Sequence, residues 1–248
     1  DVFVGGTTEE PGKLFFQVST GHFLESQGLD LSLDIGSATT DAVFFDANGD
    51  GLEDLYIVKG GYHDFERDSP ELKDQLYINQ GGGNFKKEND ALPDVLSSGS
   101  VVKPIDLDND GDLDLFIGGR AIPGQYPKPA SSFIFINDGK GKFEDRTNML
   151  FPGLSDLGMV TDASWLDIDQ DGWQDLIIVG DWMPIRIFLN KEGKSFIDKT
   201  SQFFETPLVG KWSKLASADF DGDGDLDFIV GNFGLNSQLK VNENEPLT

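Results

Sequence analysis

The feature that most constrains this chain is an acidic nine-residue segment that occurs four times. The clearest copy, residues 219–227, reads DFDGDGDLD and has carboxylates at positions 1, 3, 5 and 9 and a glycine at position 6. The other copies begin at Asp46, Asp106 and Asp167, so the starts are 60, 61 and 52 residues apart. A nearly fixed period of this size indicates a repeat architecture.

The spacing of the acidic side chains predicts a calcium site in each segment. Side chains at positions 1, 3 and 5 can converge on one point if the backbone curls, and the glycine at position 6 permits the turn that returns position 9 to that point. Several hard anionic oxygens suit Ca²⁺, whereas Mg²⁺ prefers fewer protein ligands and several waters. We therefore predict about four Ca²⁺ sites. The predicted ligands are Asp46, Asn48, Asp50 and Asp54; Asp106, Asp108, Asp110 and Asp114; Asp167, Asp169, Asp171 and Asp175; and Asp219, Asp221, Asp223 and Asp227.

These segments differ from the EF-hand loop, which needs a glutamate at position 12 and a helix on each side. Position 12 is an aliphatic residue in every copy: Ile57, Ile117, Ile178 and Val230. The flanking runs are rich in β-branched and aromatic residues, which predicts strands. We therefore expect each segment to be the tip of a β-hairpin. The alternative is an acidic turn that binds nothing, because Asp and Gly are common turn residues.

A second unit recurs between the acidic segments. It is an apolar run ending in Asn or Gln, followed by a tight turn and by a phenylalanine six residues later. The pairs are Gln17 and Phe23, Asn79 and Phe85, Asn137 and Phe143, and Asn190 and Phe196. The glycine-rich turns are typical of hairpins, and we expect each phenylalanine to close its hairpin by packing on the partner strand.

Together the two units give four strands per repeat, which predicts an all-β chain and a β-propeller of four-stranded antiparallel blades. The continuous apolar runs after the acidic segments favour sheets covered on both faces by neighbouring blades. We treat residues 1–248 as a single propeller segment. The predicted blades are 1–35 (partial), 36–92, 93–150, 151–205 and 206–248 (partial).

The two ends of the chain fit partial blades. Residues 1–6, DVFVGG, match residues 114–119, DLFIGG, so the chain begins where an acidic segment would end. Residues 239–242 match the run that ends in Asn, and no fourth strand follows them. We expect the chain to be a piece of a longer or trimmed propeller.

These motifs resemble the integrin α-subunit type of propeller repeat, the FG-GAP or VCBS-like calcium-binding family, over essentially the whole chain. The resemblance implies a propeller that usually has seven blades and often belongs to a secreted or surface protein. It also implies that a backbone carbonyl at position 7 joins the side chains at positions 1, 3, 5 and 9 around the calcium. The Phe-Gly and Gly-Ala-Pro signatures of the repeat are poorly kept, and residues 231–234, GNFG, are at best a remnant.

Composition narrows the classes of partner. The net charge of −25 argues against nucleic-acid binding, which needs a basic face. No apolar run approaches the length of a membrane span. The chain has no cysteine, so disulfide bonds cannot stabilise it and bound metal is the available alternative. Loops of this kind bind calcium at about 10⁻⁴–10⁻³ M in extracellular modules, so we expect a secreted, periplasmic or cell-surface protein.

Two classes of function remain open. The first is a calcium-stabilised scaffold for adhesion, which binds a protein or a glycan outside the cytoplasm. The second is part of a secreted polysaccharide lyase or hydrolase that uses carboxylates on the loop face. No catalytic motif is present, and no catalytic residue is predicted. Long loops predict one cluster on the face opposite the acidic segments, as an alternative to ordinary surface loops. It would contain Tyr62, His63, Arg67, Arg120 and Tyr126.

Overall fold

The regular secondary structure of the protein is almost entirely antiparallel β-strand, and the strands form successive groups. The structure, a computed structural model, describes residues 1–32, 35–36, 38–61 and 66–234. Group 1 contains β1 (Val2–Val4), β2 (Lys13–Ser19) and β3 (His22–Glu25). Group 2 contains β4 (Ala38–Phe45), β5 (Asp54–Gly60), β6 (Gln75–Asn79) and β7 (Phe85–Lys87). Group 3 contains β8 (Gly99–Ile105), β9 (Asp114–Gly119), β10 (Phe133–Asn137) and β11 (Phe143–Asp145).

The remaining strands form two further groups. Group 4 contains β12 (Met159–Leu166), β13 (Asp175–Pro184), β14 (Arg186–Asn190) and β15 (Phe196–Asp198). Group 5 contains β16 (Val209–Ala218) and β17 (Asp227–Asn232). The helices are short: α1 (Thr147–Leu150), α2 (Thr200–Phe203) and the 3₁₀ turns Pro70–Leu72 and Leu154–Asp156. Within the described ranges, no helix is long and apolar enough to cross a membrane. The predicted strand at residues 239–242 lies outside the described residues.

Strands that are consecutive in sequence are neighbours within each group. Groups 2 and 3 have the orders β4-β5-β6-β7 and β8-β9-β10-β11. Groups 4 and 5 are joined into one six-stranded sheet because the end of β13 pairs with the start of β16, with Asp181 opposite Lys211. The predicted all-β class with four-stranded antiparallel units is therefore confirmed, and the arrangement is propeller-like.

Both hairpin predictions are confirmed by the strand registers. Each acidic segment joins the first two strands of its group, and the residue before the segment pairs with position 9, as Ile105 does with Asp114. The recurrent phenylalanines lie directly opposite the residue that ends the preceding strand. These pairs are Gln17 with Phe23, Asn79 with Phe85, Asn137 with Phe143, and Asn190 with Phe196.

The core lies between successive groups, and the second strand of each group contributes to two interfaces. In β9, Leu115 and Ile117 pack in a cluster with group 2, whereas Phe116 packs in a cluster with group 4. In β13, Ile177 and Val179 pack toward group 5. Alternate side chains of a strand point to opposite faces, so a strand covered on both faces must be apolar throughout. This arrangement explains the continuous apolar runs in the sequence.

The first strands of groups 2 to 5 are linked by hydroxyl side chains at a recurrent β-bulge. Four residues occupy this bulge, each six positions before an acidic segment: Thr40, Ser100, Thr161 and Ser213. Thr40, Ser100 and Thr161 donate hydrogen bonds across to the next group, as from Thr161 Oγ1 to the Trp212 carbonyl at 2.8 Å. A bulge turns a side chain out of the normal alternation. Here it turns a hydroxyl toward the neighbouring strand group.

Candidate functional site

The backbone of the four acidic segments, here called the acidic loops, has one repeated conformation. Position 6 is a glycine with positive φ in every loop, from 83° to 98°: Gly51, Gly111, Gly172 and Gly224. Position 4 also has positive φ in every loop, from 58° to 81°: Gly49, Asn109, Gln170 and Gly222. The glycine at position 6 was predicted from the sequence, whereas the positive φ at position 4 was not. Glycine or asparagine at three of the four copies was the available signal, and glutamine hid it at the other copy.

The carboxylate at position 1 organises each loop by accepting backbone N–H groups from the turn. Asp167, for example, accepts the N–H groups of Asp171 and Gly172, both at 3.0 Å. The position-5 carboxylate accepts the N–H of position 7, as in the 3.0 Å bond from Trp173 to Asp171. These bonds keep the side chains of a short acidic loop pointed inward.

Three of the four loops gather three carboxylates around a common centre. In each of them, one oxygen from every member lies within 4.8 Å of the others. The gathered groups are Asp106, Asp108 and Asp110; Asp167, Asp169 and Asp175; and Asp219, Asp221 and Asp227. The predicted ligands Asp114, Asp171 and Asp223 belong to the same loops but lie outside these three-carboxylate groups.

The loop that begins at Asp46 has an amide where the other loops have a carboxylate. Asn48 Nδ2 donates to Asp50 Oδ2 at 3.1 Å, and Asn48 Oδ1 accepts the N–H of Asp50 at 3.0 Å. This loop does not gather three carboxylates within the described part of the chain. Its acceptors are Asp46, Asp50 and Asp54 together with the amide oxygen of Asn48.

In the first three acidic loops, the aspartate at position 9 connects its loop to the third strand of the group. Asp114 is buried and accepts the N–H of Leu107 at 3.1 Å and that of Asn137 at 2.8 Å. Asp54 and Asp175 are buried and make the corresponding pairs of bonds. Position 9 therefore aligns the loop with the sheet whether or not it also contacts an ion.

Burial and crowding of like charges raise the pKa of these buried carboxyls. Burial raises the pKa of Asp114 to about 7, with a further contribution from the nearby carboxylates of Asp108 and Asp110. Burial likewise raises the pKa of Asp175 to about 6, and it raises that of Asp54. A nearby positive charge would stabilise the anionic form of these buried carboxyls.

One atom in the second loop tests whether a cation fits. Oδ1 of Asp106 is buried and has no hydrogen-bond partner among the described residues. An anionic oxygen without a donor is costly in a protein interior, because it has lost its water and gained nothing in return. Asp106 belongs to the gathered group with Asp108 and Asp110, so the donor set and the unpaired oxygen both fit a hard cation.

The third loop contains a cation of its own. Lys191 Nζ lies 3.4 Å from Asp169 Oδ2 and 3.6 Å from Asp171 Oδ2. The lysine follows Asn190 at the end of β14, where the second loop's group has Asp138 instead. The third loop is thus partly neutralised by a side chain of its own group.

The first and second acidic loops also contact the next strand group. Asn137 Nδ2 donates to the carbonyl of Ala47 at 2.8 Å, and Asn190 Nδ2 donates to the carbonyl of Leu107 at 3.2 Å. Ala47 and Leu107 are position 2 of the preceding loops. The loops therefore lie at the joints between groups rather than at isolated tips.

The opposite ends of the same strands form a cavity with a volume of about 550 Å³. In group 2, the acidic loop lies at the end of the β4–β5 strand pair where Phe45 is opposite Asp54. The cavity is lined by Thr40 and Gly61, which lie at the other end of these two strands. Strands of this length separate the two ends by about 15–20 Å. We call this cavity the opposite-face cavity.

The structure brings together part of the predicted loop cluster on this face. Arg120 donates from Nη2 to Asp181 Oδ2 at 2.8 Å, and the Trp182 indole N–H donates to the hydroxyl of Tyr126. Arg120 and Tyr126 are thus held by adjacent residues of β13. The predicted members Tyr62 and His63 lie outside the described residues.

Group 5 adds cations to this face that were not predicted from the sequence. Lys211 and Lys214 line the opposite-face cavity beside Arg120. No motif marks these lysines, because their proximity to Arg120 depends on how three strand groups pack. Trp165 and Trp212 pack against core clusters, whereas Trp182 lies at the edge of this face.

Comparison with known protein families identifies the repeat in two parts of the chain. The model of the FG-GAP-like repeat matches residues 66–117 and 167–230, which include the second, third and fourth acidic loops. The chain contains FG-GAP-like repeats. The predicted resemblance to this repeat family is therefore confirmed. No curated protein sequence matches the chain.

Several solved structures match this chain in fold, and one of them matches over most of its length. It is a lectin from Agrocybe aegerita that specifically recognises non-reducing terminal N-acetylglucosamine. The TM-score is 0.51 and the sequence identity is 19%, and the match covers 90% of this chain and 55% of the lectin chain. The chain thus spans about half the length of that structure. At this identity the likeness concerns the fold alone.

Proposed function

We propose that this chain is part of a calcium-stabilised β-propeller, of the seven-bladed kind, that binds a glycan or protein ligand outside the cytoplasm. The observation that carries the calcium part is the gathering of three carboxylates at the same place in three strand groups, with Asp106 Oδ1 buried and unpaired in one of them. The FG-GAP-like repeats support the same assignment. The fold likeness to a lectin supports a binding role.

In this proposal the side chains at positions 1, 3, 5 and 9 hold the ion in each loop. Calcium supplies positive charge where three or four carboxylates repel one another. The loops contact the next strand group through Asn137 and Asn190, so an ion in one loop also strengthens a joint between groups. Metal that binds only the folded state stabilises it by about 2.7 kcal/mol per site at a hundredfold excess over Kd.

Calcium titration of the metal-free protein by calorimetry tests the first half of the proposal. We expect about four sites with oxygen ligands and Kd values of about 10⁻⁴–10⁻³ M. Asp108→Asn should weaken or remove one site because it takes a carboxylate from a gathered group. The matched control is Asp156→Asn, an exposed aspartate outside the four acidic loops. Magnesium at the same concentrations should bind more weakly.

Thermal unfolding with and without EDTA gives a second measurement. Four occupied sites together exceed the few kcal/mol by which a typical domain is stable, so a chelator should lower the Tm strongly. An unchanged melting curve, after metal loss has been verified by elemental analysis, would contradict the calcium proposal.

A glycan array and a pull-down with the parent protein test the binding half. We expect the calcium-loaded protein to retain a glycan or an extracellular protein. Absence of any ligand in both screens would refute the binding role and leave the calcium sites standing.

We also propose that the parent protein is exported, because sites of millimolar to submillimolar affinity fill only where calcium is abundant. Fractionation of the native host would locate it at the surface, in the periplasm or in the medium. Sub-micromolar affinity at every site, together with a cytosolic parent, would overturn this part.

A further inference from the structure

The opposite-face cavity has a charge that contrasts with the rest of the chain. Its described lining residues include three cationic side chains, Arg120, Lys211 and Lys214, and one carboxylate, Asp181. The chain as a whole has a net charge of −25. A locally positive concave surface on an acidic protein concentrates anions at that surface and repels them elsewhere.

The three cations are oriented by different neighbours. Arg120 donates from Nε and Nη2 to a single oxygen of the buried Asp181, which leaves Nη1 without a partner among the described residues. Lys211 lies between aromatic rings, 5.6 Å from the centroid of Trp182 and 5.0 Å from that of Phe233. No described carboxylate pairs with it. Both side chains therefore keep donors for a ligand.

The third cation, Lys214, is the most exposed of the set. Its side chain is 72% exposed and its Nζ lies 3.5 Å from Asp162 Oδ2. Asp162 is also paired with Lys103 at 3.1 Å, so one carboxylate is shared by two lysines. The pair of lysines retains an excess positive charge that a ligand anion can neutralise.

The surroundings of the cations favour a sugar over a simple ion. The aromatic residues Trp212 and Phe233 line the cavity, and the exposed Phe233 ring offers apolar surface to the face of a pyranose ring. The volume of about 550 Å³ accommodates a few sugar units rather than one small anion. Hydroxyl oxygens of Ser98 and Ser100 in the lining add polar partners.

We propose that the opposite-face cavity binds an acidic glycan through the carboxylate groups of its sugars, with Arg120, Lys211 and Lys214 as the anion-binding residues. This inference rests on the proposed glycan-binding function and narrows it to one ligand class and one site. It places the ligand on the face opposite the metal-binding loops.

The test uses trigalacturonate as probe and its fully methyl-esterified form as the neutral control. Binding of each to the whole calcium-loaded chain is measured by calorimetry. We expect trigalacturonate to bind, the ester to bind at least about tenfold more weakly, and added salt to weaken only the acid. Equal binding of the two forms would overturn the proposal. A sulfated oligosaccharide in a third arm shows whether the site requires a carboxylate or accepts any anion, and a site specific for sulfate would also overturn it.

Charge removal at the cavity locates the site. Lys211→Gln combined with Lys214→Gln should weaken trigalacturonate binding by about tenfold or more, the loss expected when a charge-assisted hydrogen bond disappears. Lys140→Gln removes a charge from an exposed turn at the acidic-loop end and should leave binding unchanged. Melting curves of all variants confirm that they are folded.

The outcomes separate this inference from the broader proposal. Unchanged trigalacturonate affinity in the double variant would mean that the acid binds elsewhere, for example to loop calcium, and would refute the cavity. Binding of neutral glycans alone would refute the acidic ligand and leave the glycan-binding function intact. Failure of every glycan would remove both.

Discussion

The hydroxyl of Tyr56 donates a 2.8 Å hydrogen bond to Oδ2 of Asp74, while Oδ1 of the same carboxylate accepts the N–H of Lys59 at 2.8 Å. Tyr56 is fully buried, and Asp74 links the second strand of group 2 to the segment before β6. Burial raises the pKa of Asp74 to about 7, although the two hydrogen bonds and the Lys59 charge oppose the rise.

This raised pKa predicts that Asp74 makes the protein less stable as the pH increases from about 4 to about 7. Within that window the folded state holds a proton that the unfolded chain has released, so the free energy of unfolding falls by up to about 1.4 kcal/mol per pH unit. Asp74→Asn should make the measured slope shallower by this contribution, while the raised pKa values of Asp114 and Asp175 keep their own part of it. Urea unfolding at fixed calcium from pH 4.5 to 7.5 measures it. Asp94→Asn, at an exposed carboxylate paired with Lys73, is the control and should keep the wild-type slope.

Because of Lys191, we expect the third acidic loop to bind calcium with a different affinity from the other loops. Because its Nζ lies near Asp169 and Asp171, it must be displaced or repelled when an ion enters the third loop. Lys191→Gln should therefore raise the affinity of one site by about threefold to tenfold at low salt. Calorimetry resolves the change, and Lys194→Gln, an exposed lysine paired with Glu192, is the matched control. A weaker site in Lys191→Gln would show that the lysine supports the loop instead.

Substitution of Gly172 should lower the stability of the fold through backbone conformation alone. Its φ is 90°, and a Cβ at this position would meet no atom within 4 Å. Gly172→Ala should therefore destabilise the protein by about 1–2 kcal/mol through backbone strain alone. Gly172→Asn should cost less, because asparagine tolerates positive φ better. Chemical denaturation measures both, and equal losses for the two variants would contradict the assignment to backbone strain.

Thr161 predicts the strength of the link between groups 4 and 5. Thr161→Val keeps the shape of the side chain but removes the donor to the Trp212 carbonyl. The expected loss is about 1–2 kcal/mol, as for a part-buried hydrogen bond whose acceptor is left unpaired. Thr206→Val, at an exposed threonine, is the control. A loss equal to that of the control would mean that the hydroxyl contributes nothing to the joint.

Local patterns allowed much of this fold to be predicted from the sequence. Asn137 and Phe143 form a hairpin pair because turn chemistry and apolar strands act over a few residues. The acidic loops were recognisable for the same reason. The bulge hydroxyl at Thr161 was not identified, although its constant distance of six residues from the loop start was present in the sequence.

The opposite-face cavity could not be predicted in the same way. Arg120 belongs to group 3, Asp181 to group 4 and Lys211 to group 5, and no common spacing relates them. Their proximity depends on the packing angle between groups and on the pairing of β13 with β16. Sequence position alone does not encode that angle.

The alternation of β9 between two interfaces determines the smallest piece of this protein that can fold. Leu115 faces one neighbouring group and Phe116 the other, so a single excised repeat would expose half of each of two cores to water. The autonomous unit is therefore a run of several adjoining repeats. Repeats cannot be exchanged singly between such proteins unless both flanking surfaces are redesigned to match.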